Sequence, residues 1–259
     1  MLPENADVVV EQLANAIIYE DSDVVVIDKP VGLAVHGDGE KVEYTVADWL
    51  LSYLPAVQGV GETMRSPKTG VVIERSGVVH RLDRATSGVL LLAKHQSAYE
   101  HCKRQFHDRL VKKTYQAIVY GQLKERWGTI DRSIGRSARD WRLRSAERGA
   151  KGQLRSATTD WERQVTSEVD GEWFSSVTLH PHTGRMHQLR VHCKAIGRPI
   201  VGDTLYAPTE CARSHNLGLK RLALHAFALE IEPPAGNLKT FIAPIPADLQ
   251  TAFARIAEE

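Results

Sequence analysis

Apolar residues along this chain fall mostly into short β-type runs, with helical spacing confined to a few stretches. Ile17-Ile18-Tyr19-Glu20 and Val24-Val25-Val26-Ile27-Asp28 are β-rich and separated by Asp21-Ser22-Asp23, which predicts a hairpin ended by Lys29-Pro30-Val31-Gly32. Thr45 to Leu54 reads as a helix with Thr45 as its cap and Asp48 completing a capping box. Gly59 to Gly77, rich in glycine and polar residues, predicts a long surface loop. A buried strand follows at Gly88–Ala93, then an amphipathic helix at Ser97–Leu110 and a strand at Thr114–Tyr120 ended by Gly121. Residues 128 to 155 look irregular or hairpin-like and are Arg-rich. Strands are expected at about 156–166 and 172–180, and a helix over Arg185–Ile196 with Gly197 in the C′ position. Leu222–Glu232 and Thr240–Ala243 read as strands, and Ala247–Ala257 as a closing helix.

Strands outnumber helices and many neighbours are joined as hairpins. The expected class is therefore α+β, with a mixed, mostly antiparallel sheet flanked by helices, rather than a doubly wound parallel fold. The 259 residues are 42% hydrophobic and 25% charged, enough apolar material for a sizeable core. The formal net charge is only +1, so no global basic field announces a nucleic-acid binder. The distribution changes that picture. Arg132 to Arg155 holds eight basic residues, and His180 to Arg198 holds four Arg/Lys and four His with no acid. Either run alone also fits a plain solvated face. The three cysteines, Cys102, Cys193 and Cys211, lack the spacing of a disulfide framework or a zinc site. The acidic N-terminus lacks the apolar run of a signal peptide, and no stretch approaches the ~20 apolar residues of a membrane helix. A cytoplasmic protein is expected.

Three constellations carry candidate chemistry. His80-Arg81-Leu82-Asp83-Arg84-Ala85-Thr86-Ser87-Gly88 packs an acid, two arginines and two hydroxyls into a turn before an apolar strand. Arginine beside a carboxylate favours its charged form, which can act as nucleophile or base. The plainer reading is a turn whose Asp83 and Ser87 satisfy backbone donors. Tyr115, in Lys112-Lys113-Thr114-Tyr115, can stack on a base or handle a proton, or be an ordinary sheet tyrosine. In His180-Pro181-His182-Thr183-Gly184-Arg185-Met186-His187-Gln188-Leu189-Arg190-Val191-His192, a helix from Arg185 would put His187, Arg190 and Lys194 on one face suited to anions. Four histidines raise the question of a metal, but no His-Glu-x-x-His spacing or set of carboxylates accompanies them. Phosphate-loop, dinucleotide-binding and serine-elbow motifs are all missing.

In this order the segments resemble the RluA-type pseudouridine synthases, which act on ribosomal and transfer RNA. The resemblance is carried by Ile18-Tyr19-Glu20-Asp21, Val26-Ile27-Asp28-Lys29-Pro30-Val31-Gly32-Leu33-Ala34-Val35-His36, HRLDRATSGVLLLAK at 80–94, KKTYQAIVYG at 112–121, HTGRMHQLRVH at 182–192, GRPIVGD at 197–203 and LALHAFALEI at 222–231. It runs from about Ile18 to Pro246, and HRLDRATSG is its most specific part. It implies a central RNA-binding cleft and a single catalytic domain over residues 18–259 after an extension at 1–17, without an amino-terminal S4 module. Asp83 is then the catalytic aspartate, Tyr115 stacks on the uracil and Arg190 pairs with Asp83. Arg81 evicts the target base and takes its place in the RNA. Arg84, Thr86, Arg185, His187 and Lys29 complete the expected substrate-binding set. Met186 stands where the family usually has a small hydroxylated residue, and Gly59–Gly77 has no clear counterpart.

The implied reaction breaks the uridine N1–C1′ bond and forms C5–C1′. The C5 proton leaves and N1 gains one, so nothing is oxidised and no cofactor or metal is called for. The expected partner is structured rRNA or tRNA, bound by a monomer with the target nucleotide flipped out of its stack. The competing readings are a non-catalytic RNA-binding protein of the same fold and an unrelated hydrolase built on the histidines.

Overall fold

The structure is a computed structural model that describes residues 6–39, 43–66, 69–140, 143–146 and 149–257. Residues 1–5 of the expected extension, Pro67 and Lys68 of the expected loop, and Trp141, Arg142, Glu147 and Arg148 of the Arg-rich stretch lie outside the described residues. The chain forms two compact units, Met1–Val111 with Ala228–Pro244, and Lys112–Phe227 with Ile245–Glu259.

The first unit begins with α1 (Ala6–Ala14) and the predicted hairpin of β1 (Ile17–Glu20) and β2 (Val24–Lys29). Its turn is closed by Asp21, whose Oδ1 accepts the N–H groups of Asp23 and Val24, both at 2.8 Å. Next comes α2 (Val46–Tyr53), with the predicted capping box between Thr45 and Asp48 in place. The Gly59–Gly77 stretch is not the irregular loop its composition suggests. It holds a second hairpin, β3 (Thr63–Arg65) and β4 (Val72–Glu74), with Ile73 buried. Two of its glycines, Gly61 and Gly77, are required by close packing. At Gly77, whose φ is +71°, a Cβ would lie 2.4 Å from the Ala93 carbonyl oxygen and 2.6 Å from Leu50 Cδ2. Strand β5 (Ser87–Ala93) is buried along its whole length and pairs antiparallel with β2, from Val24↔Ala93 to Lys29↔Gly88. Helix α3 (Gln96–His107) follows, capped by His95, whose side chain accepts from Ala98 N–H.

The second unit is built on β6 (Lys112–Tyr120) and β7 (Trp127–Asp131). The Arg-rich stretch takes the hairpin form of its two expected readings. There, β8 (Ile134–Ser137) pairs on either side with β9 (Arg144–Ala146) and β10 (Ala150–Arg155). The long strands β11 (Thr158–Val169) and β12 (Glu172–Pro181) complete an antiparallel order β6-β12-β11-β7, so that β7 is its edge. Helix α4 (Gln188–Ala195) is shorter than predicted. Two accepted hydrogen bonds hold the approach to it in place: Gln188 Oε1 accepts from Arg185 N–H at 3.0 Å and from the Thr183 hydroxyl at 2.7 Å. His187 then caps it in the left-handed region at φ 57°, so Arg185, Met186 and His187 stand before the helix. Helix α5 (Pro208–Arg213) leads to β13 (Leu224–Ile231), which begins in the second unit and ends in the first. There β13 pairs with β14 (Lys239–Ile242), and α6 (Ala247–Ala257) closes the second unit at the predicted bounds.

The sheet is mostly antiparallel and the helices are few, as expected of the α+β class. Among the described residues no helix is long and apolar enough to cross a membrane.

Candidate active site

In the first unit, the turn before β5 carries the predicted acid. Leu82 is buried and anchors it, while Arg81 and Arg84 on either side are exposed and Asp83 is half-buried. The backbone is pinned at three points: Thr86 N–H donates to Asp83 O at 2.9 Å, Gly32 N–H donates to Arg84 O at 2.8 Å, and Leu91 N–H donates to His80 Nε2 at 3.0 Å. His80 also stacks on Phe106, with ring centroids 4.5 Å apart. A turn fixed this way holds its carboxylate at a set height above the strand.

Each cation around Asp83 is itself held. Arg84 forms an ion pair with Glu43, which raises its already high pKa. Arg81 Nη1 donates to His36 Nε2 at 3.2 Å. The other ring nitrogen, Nδ1, lies 2.8 Å from Gly37 O and must carry the proton, so Nε2 is the acceptor. Burial pushes the His36 pKa down to about 4, and Arg75 and Arg81 push the same way, against the hydrogen bond to Gly37. His36 is thus neutral and orients Arg81. Thr86 is buried. Lys29 is wholly buried, and its ammonium donates to the carbonyls of Pro30 at 2.7 Å and Leu33 at 2.9 Å. It braces the loop that leads to His36.

In the second unit, Tyr115 lies half-buried on β6, in register with Leu179 of β12. Arg190 is buried on α4 and forms a two-pronged pair with Asp203: Nε to Oδ2 at 2.8 Å and Nη2 to Oδ1 at 2.7 Å. Its guanidinium sits 4.9 Å from the ring centroid of Tyr206, and Lys194 Nζ is 5.9 Å from the same ring. His187 Nδ1 is 2.7 Å from the Tyr206 hydroxyl. The predicted face of His187, Arg190 and Lys194 therefore does converge, although His187 lies outside the helix, because Tyr206 gathers all three. Arg185 turns elsewhere, with Nε donating to Ser156 O at 3.0 Å.

The histidines go to separate partners. His182 Nε2 meets Asp160 Oδ2 at 2.6 Å, and His180 Nδ1 is 3.4 Å from the Thr114 hydroxyl. His192 is wholly buried between the Thr159 hydroxyl and Arg132 O, and burial lowers its pKa. Among the described residues no group of three or more His, Cys, Asp or Glu is placed to hold a metal ion.

Sequence reading passed over three residues of this arrangement. His36 and Asp203 stood in the quoted VGLAVH and GRPIVGD segments without roles, and Tyr206 follows three residues after Asp203. The signal for Asp203 was a lone carboxylate after glycine in an apolar segment, where a buried acid needs a cation.

The RNA pseudouridylate synthase family model matches residues 23–195. Over 245 residues the chain is 36% identical to an uncharacterized RNA pseudouridine synthase of Synechocystis sp., covering 94% of this chain and 69% of that one. It is 35% identical over 231 residues to the ribosomal large subunit pseudouridine synthase D of Borreliella burgdorferi, covering 89% of this chain and 65% of the relative. The solved structure of human RNA Pseudouridylate Synthase Domain Containing 1 superposes with a TM-score of 0.69 at 29% identity, covering 95% of this chain and 87% of that chain. The chain belongs to the RNA pseudouridylate synthase family, isomerases that act on RNA.

Proposed function

We propose that this protein isomerises specific uridines in structured rRNA or tRNA to pseudouridine, with Asp83 as the catalytic aspartate. The observation that carries the assignment is the Asp83 turn, where a half-buried carboxylate is set on a backbone pinned by Gly32, Thr86 and Leu91. Such a carboxylate is preorganised for attack on the nucleotide or for stabilising its developing charge.

Tyr115 is assigned to stack on the uracil and keep the detached base from escaping while it rotates. Arg190 is assigned as the guanidinium partner of the Asp83 carboxylate. Asp203 engages one edge of that planar group, and a guanidinium has a second edge able to serve another carboxylate. Arg81 is assigned to fill the stack left by a flipped nucleotide, which is least costly to flip from a loop or irregular helix. Its exposure and its tether to His36 suit that reach. Arg84, Thr86, Arg185, His187 and Lys29 are assigned to substrate binding, Lys29 by bracing the loop between β2 and α2. The Arg-rich strands β8 to β10 are assigned to track phosphates, so affinity should fall steeply with salt.

The protein is read as a cytoplasmic monomer. Its three cysteines are free, which suits a reducing compartment. The relative named for the large ribosomal subunit supports an rRNA target, and the HRLDRATSG and CKRQF segments support tRNA or a dual target.

The test uses Asp83→Asn and RNA labelled with tritium at uridine C5. Loss of tritium release with RNA affinity kept is the expected result, and full release by the variant would refute the assignment. Pseudouridine mapping in RNA from cells lacking the protein identifies the target.

A further inference from the structure

The second unit carries a pocket of about 360 Å³ on the edge strand β7, bordered by Trp127, Trp161 and Ile196. Its size falls in the usual range of about 300–1,000 Å³ for small-molecule and cofactor sites. Trp127 is 74% exposed, more than any other large apolar side chain among the described residues. An exposed indole beside a pocket offers a large, flat apolar surface with a polar N–H edge.

The pocket floor depends on a missing Cβ. Gly128 faces Trp161 across the β7–β11 pairing, and a Cβ there would come within 2.8 Å of the indole. Gly128 therefore lets the Trp161 indole approach the strand closely. The rim is basic. Arg198 uses Nε on Gln122 O at 3.0 Å and Nη1 on Gly197 O at 2.8 Å, which fixes its guanidinium plane at the pocket. Lys124 lines the pocket and Arg126 precedes Trp127 in the chain. Among the described residues none of these three cations forms an ion pair, whereas Arg84, Lys94, Arg190 and Arg255 all do. Glu125 is the one carboxylate in the lining, so the rim stays cationic. Arg132 Nη1 also donates to Ala195 O at 2.9 Å, countering the negative end of α4 beside the pocket.

An exposed indole with unpaired cations around it is the chemistry of an unpaired nucleotide: a base stacks, and its phosphate meets the guanidinium and ammonium groups. We propose that this pocket is a second RNA subsite, which stacks an unpaired base of the substrate RNA on Trp127 with its phosphate on Arg198 and Lys124. Its position suits that use. Tyr115, Leu179, Trp161 and Gly128 are successive cross-strand partners, so they form one row on one sheet face. At ~4.8 Å per strand, Gly128 lies roughly 14 Å from Tyr115 along that row, and Trp127 precedes it on the edge strand. The subsite needs RNA as the substrate, which family membership supplies, and does not depend on which residue is the catalytic acid.

The test is binding of a fluorescent oligouridylate to the full chain carrying Asp83→Asn, with and without Trp127→Ala. The expected result is quenching of tryptophan fluorescence on binding and Kd raised about tenfold or more by Trp127→Ala, within the range one base–aromatic stack carries. Trp127→Phe should recover most of the affinity. With Asp83 intact, Trp127→Ala should raise KM for substrate RNA and leave kcat unchanged. An unchanged Kd in Trp127→Ala overturns the subsite. So does an unchanged Kd combined with the loss of a self-association seen by sedimentation, because the face would then be a contact between copies of the chain. The outcome is separate from that of the tritium assay, since Asp83 takes no part in the pocket.

Discussion

Arg190 and Asp203 meet through two parallel hydrogen bonds of 2.8 and 2.7 Å, with both side chains buried. Asp203 does more than balance a charge. Its Oδ1 also accepts the N–H groups of Leu205 at 3.1 Å and Tyr206 at 3.0 Å, so one carboxylate shapes the loop and aims the guanidinium. The loop reaches this position through Gly202, whose φ is +73° and where a Cβ would lie 2.0 Å from Arg221 O.

Asp203→Asn separates these two jobs. The amide oxygen can still accept the two backbone N–H groups, while the buried guanidinium loses the anion on this edge. Breaking a buried ion pair from one side costs about 3–5 kcal/mol. Urea unfolding should show a loss of that size, and kcat on RNA should fall more than KM rises. A variant with wild-type stability and kcat would mean that the pair orients nothing.

The neutral His36 makes a pH prediction. Its folded pKa, about 4, lies below the ordinary value of 6.5. Between those values the unfolded chain binds a proton that the native chain does not. Stability therefore rises with pH across this window and is fully present above 6.5. His192, lowered by burial, acts in the same direction. Below about 4, protonated His36 can no longer accept from Arg81. His36→Asn should flatten the slope of the thermal midpoint between pH 4 and 6.5 and leave His192's share in place. At pH 7.5 the same variant should raise KM for RNA by loosening Arg81. An unchanged slope and KM would remove His36 from the site.

Local chemistry was the most legible part of the sequence. The Asp21 turn, the Thr45–Asp48 capping box and the bounds of α6 each depend on residues close in the chain, and each reads directly. Features set by distant partners did not. The β3–β4 hairpin looked like a loop because its strands are only three residues each and lie among glycines, one of which, Gly77, answers to Ala93 and Leu50 rather than to its neighbours. The start of α4 was misplaced because Gln188 holds Arg185 and Thr183 in a turn, a competition between side chain and backbone that helical periodicity does not register. The basic face survived that error because its assembly depends on Tyr206, 19 positions after His187. The Trp127–Trp161 pocket exists only once strand register is known, because Gly128 and Trp161 become neighbours across β7 and β11.

Tyr206 lets the last prediction distinguish a ring from its hydroxyl. The ring lies under Arg190, with the centroid 4.9 Å from the guanidinium carbon. The hydroxyl accepts Arg144 N–H at 3.0 Å, at the start of β9, and lies 2.7 Å from His187 Nδ1. Tyr206→Phe keeps the support for Arg190 and leaves a part-buried backbone donor without this acceptor, which costs about 1–3 kcal/mol. Its effect on RNA should appear in KM, because His187 and the Arg-rich strands lose their tie, while kcat stays near wild type. Tyr206→Ala also removes the ring and opens a cavity, costing about 3–5 kcal/mol by analogy with Phe and Trp truncations. It should lower kcat as well, since Arg190 loses its support on one side. If Tyr206→Phe lowers kcat as far as Tyr206→Ala does, the hydroxyl network rather than the ring holds Arg190 in place, and Arg144 and His187 become the next residues to vary.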